Sequence, residues 1–254
     1  MRRRGRLGLL LGFVFVATVA TVAPAGAAGA NSATSAGPLP ACRYDDVPAA
    51  LTAYSDWKKT LLDPIYTLPS TYVPPGLVPT SDAGIAGGGL VRSNVIADLR
   101  AMRIAAKAAR APIAVSSAYR SYTKQAELFD AYVEDLGYEA ALLRAARPGH
   151  SEHQLGSSID FRSKLASDTS PGGDWARSRA GAWMAANGWK YGWVMSYPAG
   201  KTDVTCYNYE PWHYRYFGRS RARLIIESGL TVREWLWQQG YGDAVTGESL
   251  APAA

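Results

Sequence analysis

Only three histidines occur in this chain, and two of them sit in short segments that also carry carboxylates. His153 lies in Ser151-Glu152-His153-Gln154-Leu155-Gly156, seven residues before Asp160, and His213 closes the run Glu210-Pro211-Trp212-His213. Two imidazoles and one carboxylate, with a fourth position left open, make the ligand set of a catalytic zinc ion. A further carboxylate close by is the proton acceptor that such a site needs.

Spacing restricts how these groups can meet. Side chains seven residues apart on a flat strand point to opposite faces, so His153 and Asp160 share one metal only if the chain bends between them. Gly156 is placed to allow that bend, which puts His153 in a turn and Asp160 on the strand beyond. Glu210 and His213, three apart, also have the wrong parity for a flat strand, and Pro211 argues against a helix interior. An irregular turn leading into Tyr214-Arg215-Tyr216 would present both to a cleft. H-x6-D is by itself a weaker pattern than H-E-x-x-H. Ser117-Ala118-Tyr119-Arg120-Ser121-Tyr122 adds a guanidinium, Arg120, just past a buried strand. There it would face a carboxylate or a polarised carbonyl, or else form a structural salt bridge.

The elements that must position these residues follow from periodicity. Asn94–Ala109 reads as an amphipathic helix with Val95, Leu99, Met102 and Ala106 on its apolar face. Ile113–Tyr119 reads as a strand. A helix capped by Thr123 follows and ends at Gly137, with Leu128, Phe129, Tyr132 and Val133 on one side; Tyr138–Ala146 gives a shorter one. Leu155–Phe161, Trp189–Met195 and Tyr214–Phe217 are strand candidates, and Asp174–Asn187 and Thr231–Gln239 helix candidates. Short strands alternating irregularly with helices predict an α+β fold, a small antiparallel sheet flanked by helices. Before this core, which is expected to begin at Ser93, Val47–Leu62 has apolar residues at helical spacing. Pro64–Gly89 reads as an extended, loop-rich arm, and no internal repeat is visible.

The ends of the chain bound its class. Arg2, Arg3, Arg4 and Arg6 precede an apolar, uncharged stretch, Leu7–Val22, and small residues follow it. Residues 1–30 are expected to be a secretory signal peptide with A-x-A cleavage sites, the alternative being an uncleaved anchor; no other stretch is apolar for long enough to span a bilayer. The expected organisation is then a linker and loop-rich arm over residues 31–92, a catalytic domain over 93–242 and a flexible tail over 243–254. Subtracting the four leader arginines from 27 basic residues leaves 23 against 21 acidic ones, a net charge of about +2. No basic tract remains to bind nucleic acid. In an exported protein, Cys42 and Cys206 are expected to form one disulfide tying the N-terminal segment to the region before Glu210, rather than to remain as thiols or to ligate a metal, since neither has a C-x-x-C or C-x-H neighbour.

With these residues in view, the chain resembles the zinc D-alanyl-D-alanine carboxypeptidases of the VanY type, which share a fold with the Hedgehog signalling domain. The resemblance rests on S-x-Y-R-S-x-x-x-Q (Ser117 to Gln125), S-x-H-x-x-G-x-x-x-D (Ser151 to Asp160) and E-P-W-H-x-R (Glu210 to Arg215), and covers roughly residues 93–218. It implies Zn2+ held by His153, Asp160 and His213, with Glu210 as catalytic base and Arg120 binding the reacting group. Ser151, Gly156 and Ser158 fall on supporting positions of the motif. Ser158, where alanine is common, and Gln125, early in the helix after Arg120, are candidate substrate contacts beside Arg120. His150, where an aromatic residue often stands, is read as a non-ligand. The implied substrate is a peptidoglycan stem peptide ending in D-Ala-D-Ala, cleaved outside the cell or at its wall by a protein expected to be monomeric.

Three other readings use the same residues. An L,D-carboxypeptidase or an endopeptidase on the same polymer would have the same catalytic parts. A zinc-containing binding module would have no need of Glu210. A serine peptidase built on Ser151 or Ser158 lacks the G-x-S-x-G elbow and leaves Glu210-Pro211-Trp212-His213 without a role.

Overall fold

The computed structural model describes residues 37–165 and 174–242. The expected signal peptide, residues 31–36 of the expected linker and the expected tail lie outside these residues. Among the described residues no helix is long and apolar enough to cross a membrane.

In chain order the elements are β1 (Val47–Pro48), β2 (Tyr66–Thr67), β3 (Leu77–Pro79), β4 (Leu90–Arg92), α1 (Ile96–Ala108), β5 (Ile113–Ser117), α2 (Tyr122–Leu136), α3 (Tyr138–Leu142), β6 (Ser158–Ser163), α4 (Arg179–Asn187), β7 (Trp193–Met195), α5 (Thr202–Thr205), β8 (His213–Tyr216), α6 (Arg219–Ser228) and α7 (Val232–Gln238). The main sheet is antiparallel with strand order β5-β6-β8-β7. Two small pairs, β1 with β2 and β3 with β4, lie in the N-terminal part. This is the α+β arrangement expected from the strand and helix pattern.

Alternation along the strands sorts apolar from functional side chains. Ile159 and Phe161 of β6, Trp193 of β7 and Tyr214 and Tyr216 of β8 are buried in one core, with Phe161 edge-on to both Trp193 and Tyr214. Asp160, His213 and Arg215 alternate with them and point the other way. Cross-strand register sets Asp160 opposite His213, and Ser117 opposite Asp160 across a bulge in β5. Polar groups from three strands are thereby gathered on one face.

Trp57, Leu61, Ile65, Leu68 and Tyr72 are buried in the same core, so the core begins well before Ser93 and the arm is part of it. No helix forms over Val47–Leu62. Leu51 O accepts from Thr60 Oγ1 at 2.6 Å, and Trp57 O and Thr60 O accept from Arg215 Nη2 at 2.8 Å each, so carbonyls that a helix would use are bonded elsewhere. Residues 37–40, expected to belong to a disordered linker, are held: Trp237 Nε1 donates to Gly37 O at 2.7 Å and Arg233 Nη2 to Pro40 O at 3.1 Å.

Other details differ from the sequence reading. Ser121, not Thr123, caps α2, its hydroxyl accepting from Lys124 N at 3.2 Å. Asp174–Asn187 is interrupted at Ser178, which caps α4, and Gly188–Tyr191 is a 3-10 turn, so β7 starts only at Trp193. Tyr138–Ala146 shortens to α3. Helix α6, unforeseen because of its arginines, buries only Ala222 and Ile225. The cysteines do form the Cys42–Cys206 disulfide.

Candidate metal centre and active site

The bend expected at Gly156 is a 3-10 turn over Glu152–Leu155. Ser151 caps it, accepting from His153 N at 3.4 Å, and Gly156 closes it at φ 70°. The positive φ favours glycine there, and a Cβ would in addition crowd Leu77 Cδ2 at 2.9 Å. The second bend is a four-residue turn, Glu210 to His213, with Pro211 at its second position and His213 N donating to Glu210 O at 3.1 Å. It is pinned from outside: Trp175 Nε1 donates to Pro211 O at 2.7 Å, Phe161 N to Trp212 O at 2.9 Å, and Glu210 N to Tyr197 O at 3.0 Å. The turn supplies the relation between Glu210 and His213 that a flat strand could not.

His153, Asp160 and His213 come together, each offering a ligand atom within 4.8 Å of the others'. Each imidazole has one nitrogen committed away from this point. His153 Nδ1 lies 2.7 Å from Ala118 O, which can only accept, so Nδ1 carries the proton. Burial holds the His153 pKa below its usual value, so the ring is neutral and Nε2 is a bare lone pair. That lone pair faces Asp160 Oδ2 at 3.2 Å, an opposition of two acceptors that a cation would relieve. His213 Nε2 contacts Glu152 Oε2 at 2.9 Å, leaving Nδ1 towards Asp160 Oδ1, also at 2.9 Å. The donor set of two imidazole nitrogens and a carboxylate fits zinc.

Glu152 is the site residue that sequence reasoning missed. Its buried carboxylate also accepts from Ser196 Oγ at 2.6 Å and from Arg215 Nη1 at 2.9 Å. Burial alone would raise its pKa, but Arg215 and the hydrogen bonds bring it down to about 2. A carboxylate on the far nitrogen of a metal-binding histidine fixes the ring's orientation and raises its basicity. The hint in the sequence was its position beside His153 in Ser151-Glu152-His153. Arg215, the last residue of E-P-W-H-x-R, is fully buried and supports Glu152 from behind.

With no metal present, burial would lower the His213 pKa, but its hydrogen bonds to the Asp160 and Glu152 carboxylates raise it to about 10. Burial would also raise the Asp160 pKa, and the charges and hydrogen bonds of His153 and His213 drive it well below the usual carboxylate range. Glu210 is different. It is half-buried beside the triad, and no hydrogen-bond donor among the described residues holds its carboxylate. Desolvation pushes its pKa up to about 8. A divalent cation nearby would bring that value back down.

A cleft of about 250 Å³ opens onto this group, lined by Arg120, His153, Asp160, Glu210, Trp212 and His213 among others. Arg120 is mostly enclosed and held in place: Nη1 donates to Gln125 Oε1 at 2.7 Å, Nη2 donates to Ser117 Oγ at 2.9 Å and lies 3.7 Å from Asp160 Oδ2. Gln125 is therefore not where the sequence reading put it. It is buried, with its amide fixed between Arg120 and Ala146 O (2.6 Å), and does not line the cleft. Ser158 is likewise buried and does not line the cleft. His150 binds Asp63 O and Asp46 Oδ1 through its two nitrogens, so it anchors the N-terminal segment and takes no part in the triad.

Comparison with known proteins agrees with this geometry. The chain is 36% identical over 180 residues to the putative carboxypeptidase YodJ of Bacillus subtilis (strain 168), covering 69% of this chain and 65% of YodJ. It thus spans less than two thirds of that curated relative. Among solved structures it is similar to the LdcB LD-carboxypeptidase, with TM-score 0.64, 33% identity, and coverage of 70% of this chain and 85% of LdcB. It is also similar to the vancomycin-resistance D,D-pentapeptidase VanY in complex with Zn(II), with TM-score 0.61, 29% identity, and coverage of 71% and 99%. The VanY family, described as D-alanyl-D-alanine carboxypeptidase, matches residues 89–219, which take in the triad, Arg120, Glu152 and Glu210, and the chain belongs to that family.

Proposed function

We propose that this protein is a zinc-dependent D-alanyl-D-alanine carboxypeptidase that removes the terminal D-alanine from peptidoglycan stem peptides. One observation carries the reading. Two histidines have their outer nitrogens tied to Ala118 O and Glu152, so His153 Nε2 and His213 Nδ1 converge with Asp160 beside Glu210, a carboxylate with no donor among the described residues.

In this proposal His153, Asp160 and His213 hold the zinc. When bound, the ion supplies Lewis acidity, polarising the scissile carbonyl and lowering the pKa of water towards about 7. Glu210 accepts the proton of the attacking water as oxygen adds to the peptide carbonyl, and returns a proton to the departing amine as the C–N bond breaks. Arg120, aimed by Gln125 and Ser117, faces the carbonyl oxygen as negative charge develops there. Trp212 lines the cleft wall next to both Glu210 and His213.

The basic and apolar leader, together with the disulfide, supports export to the cell wall, since disulfides persist in oxidising compartments. A second reading, L,D-carboxypeptidase, is favoured by the likeness to LdcB, because the catalytic parts would be the same. Mass analysis after incubating the zinc-loaded protein with defined penta- and tetrapeptide stems tests both. Loss of one D-alanine from the pentapeptide supports the proposal. Cleavage of the tetrapeptide alone supports the second reading, and two intact peptides contradict both.

A further inference from the structure

Two guanidinium groups line the cleft, and they are in different states. Arg120 is enclosed and its donors are engaged by Gln125 and Ser117. Arg144 is exposed on the cleft wall, and no carboxylate or hydrogen-bond acceptor among the described residues takes its side chain. The two acidic side chains of the cleft, Asp160 and Glu210, belong to the metal end. Arg144 is therefore a cation with no partner among the described residues, on the wall of the pocket that would take a peptide under the proposed function.

Its backbone is not loose. Arg144 N donates to Ala141 O at 3.0 Å, continuing the turn of α3. On one side Leu143 O accepts from Asn208 N at 3.1 Å, and on the other Ala146 O accepts from Gln125 Nε2 at 2.6 Å. The segment carrying Arg144 is thus tied both to the loop that ends in Glu210 and to the residue that aims Arg120. Tyr132 and Tyr209 line the cleft with it. A planar fork of donors on a fixed backbone suits bidentate capture of a carboxylate.

We propose that Arg144 is a specificity-determining residue that binds a carboxylate of the substrate peptide. The inference rests on the carboxypeptidase reading. The carboxylate has two possible sources, the free C-terminus or an acidic group upstream in the stem.

Two peptides separate these sources. One is an Nα,Nε-diacetylated Lys-D-Ala-D-Ala, whose only carboxylate is terminal; the other extends it upstream with a residue bearing a free carboxylate. For Arg144→Ala, KM should rise about tenfold or more, within the range for a charge-assisted hydrogen bond, with kcat within about twofold. Arg144→Lys should fall in between, because it keeps charge but loses the fork. A rise with both peptides assigns the C-terminus, and a rise with only the longer peptide assigns the upstream group. Unchanged KM with both, or a fall in kcat alone, overturns the proposal. If the zinc-loaded wild type cleaves neither peptide, the carboxypeptidase reading fails. Calorimetric binding of the same peptides then decides on Arg144, and equal dissociation constants for wild type and Arg144→Ala overturn it.

Discussion

Glu152 Oε2 lies 2.9 Å from His213 Nε2, so the residue preceding one member of the triad in sequence orients another, at the start of β8. Behind Glu152 stands Arg215, and behind Arg215 the carbonyls of Trp57 and Thr60. The N-terminal segment, outside the family-matched residues, thus props the candidate metal site through two buried side chains.

Removing the carboxylate charge should therefore weaken metal binding without touching a ligand. Glu152→Gln is expected to lower zinc affinity by about 10–100-fold, the range for such outer partners. Competition with a chelator, alongside circular dichroism to verify folding, checks this. Unchanged affinity would show that Glu152 serves only to neutralise Arg215.

Acid should also weaken metal binding. In the metal-free protein His213 holds its extra proton up to about pH 10, and zinc must displace it. Apparent affinity should then fall about tenfold per pH unit below that point, with about one proton released per ion at pH 7. The same shift makes a contribution to metal-free stability that is full below the unfolded-state value near 6.5 and is lost as pH rises through 10. Calorimetry in buffers of different ionisation enthalpy counts the proton. Affinity that is flat between pH 6 and 8 would contradict the assignment.

Reduction of Cys42–Cys206 should be felt both in stability and at the cleft. Closing so long a loop stabilises by up to about 4–5 kcal/mol in the chain-entropy treatment. Cys206 also adopts φ 68°, directly before the Tyr207–Glu210 wall of the cleft. Denaturant melts of oxidised and reduced protein should separate clearly, and the reduced form should turn over more slowly. Identical melts would show that the bridge adds nothing.

Arg120→Lys keeps the charge but loses the planar fork whose two separate nitrogens reach Gln125 Oε1 and Ser117 Oγ. A loss of kcat of about 10² is expected, the scale for a donor facing a developing oxyanion. Steady-state kinetics at full zinc loading measures it. Loss confined to KM would make Arg120 a ground-state binding residue.

The two histidines of the triad stood out because the chain has only three, and once His153 and Asp160 are taken to share one metal, parity demands a bend that Gly156 can supply. Gln125 and Ser158 were misplaced because spacing tells which residues neighbour one another along a helix or strand, not how deep each lies. Glu152 and Arg215 act only in combination, through partners far apart in sequence, so neither announced a role. The arm was underrated for a related reason. Its backbone is ordered by tertiary hydrogen bonds, such as those to Arg215, that local propensity does not encode. Helix α6 hid behind its arginines, although Ala222, Ile225 and Gly229 marked its buried side and its end.

The most direct test of the whole account is Glu210→Gln. Glutamine is nearly isosteric and polar but cannot take a proton from water at neutral pH. Zinc content should remain at one ion per chain, because Glu210 lies outside the triad, while turnover of a D-Ala-D-Ala peptide should drop by at least about 10²-fold. Hydrolysis at the wild-type rate by a fully zinc-loaded Glu210→Gln protein would contradict it.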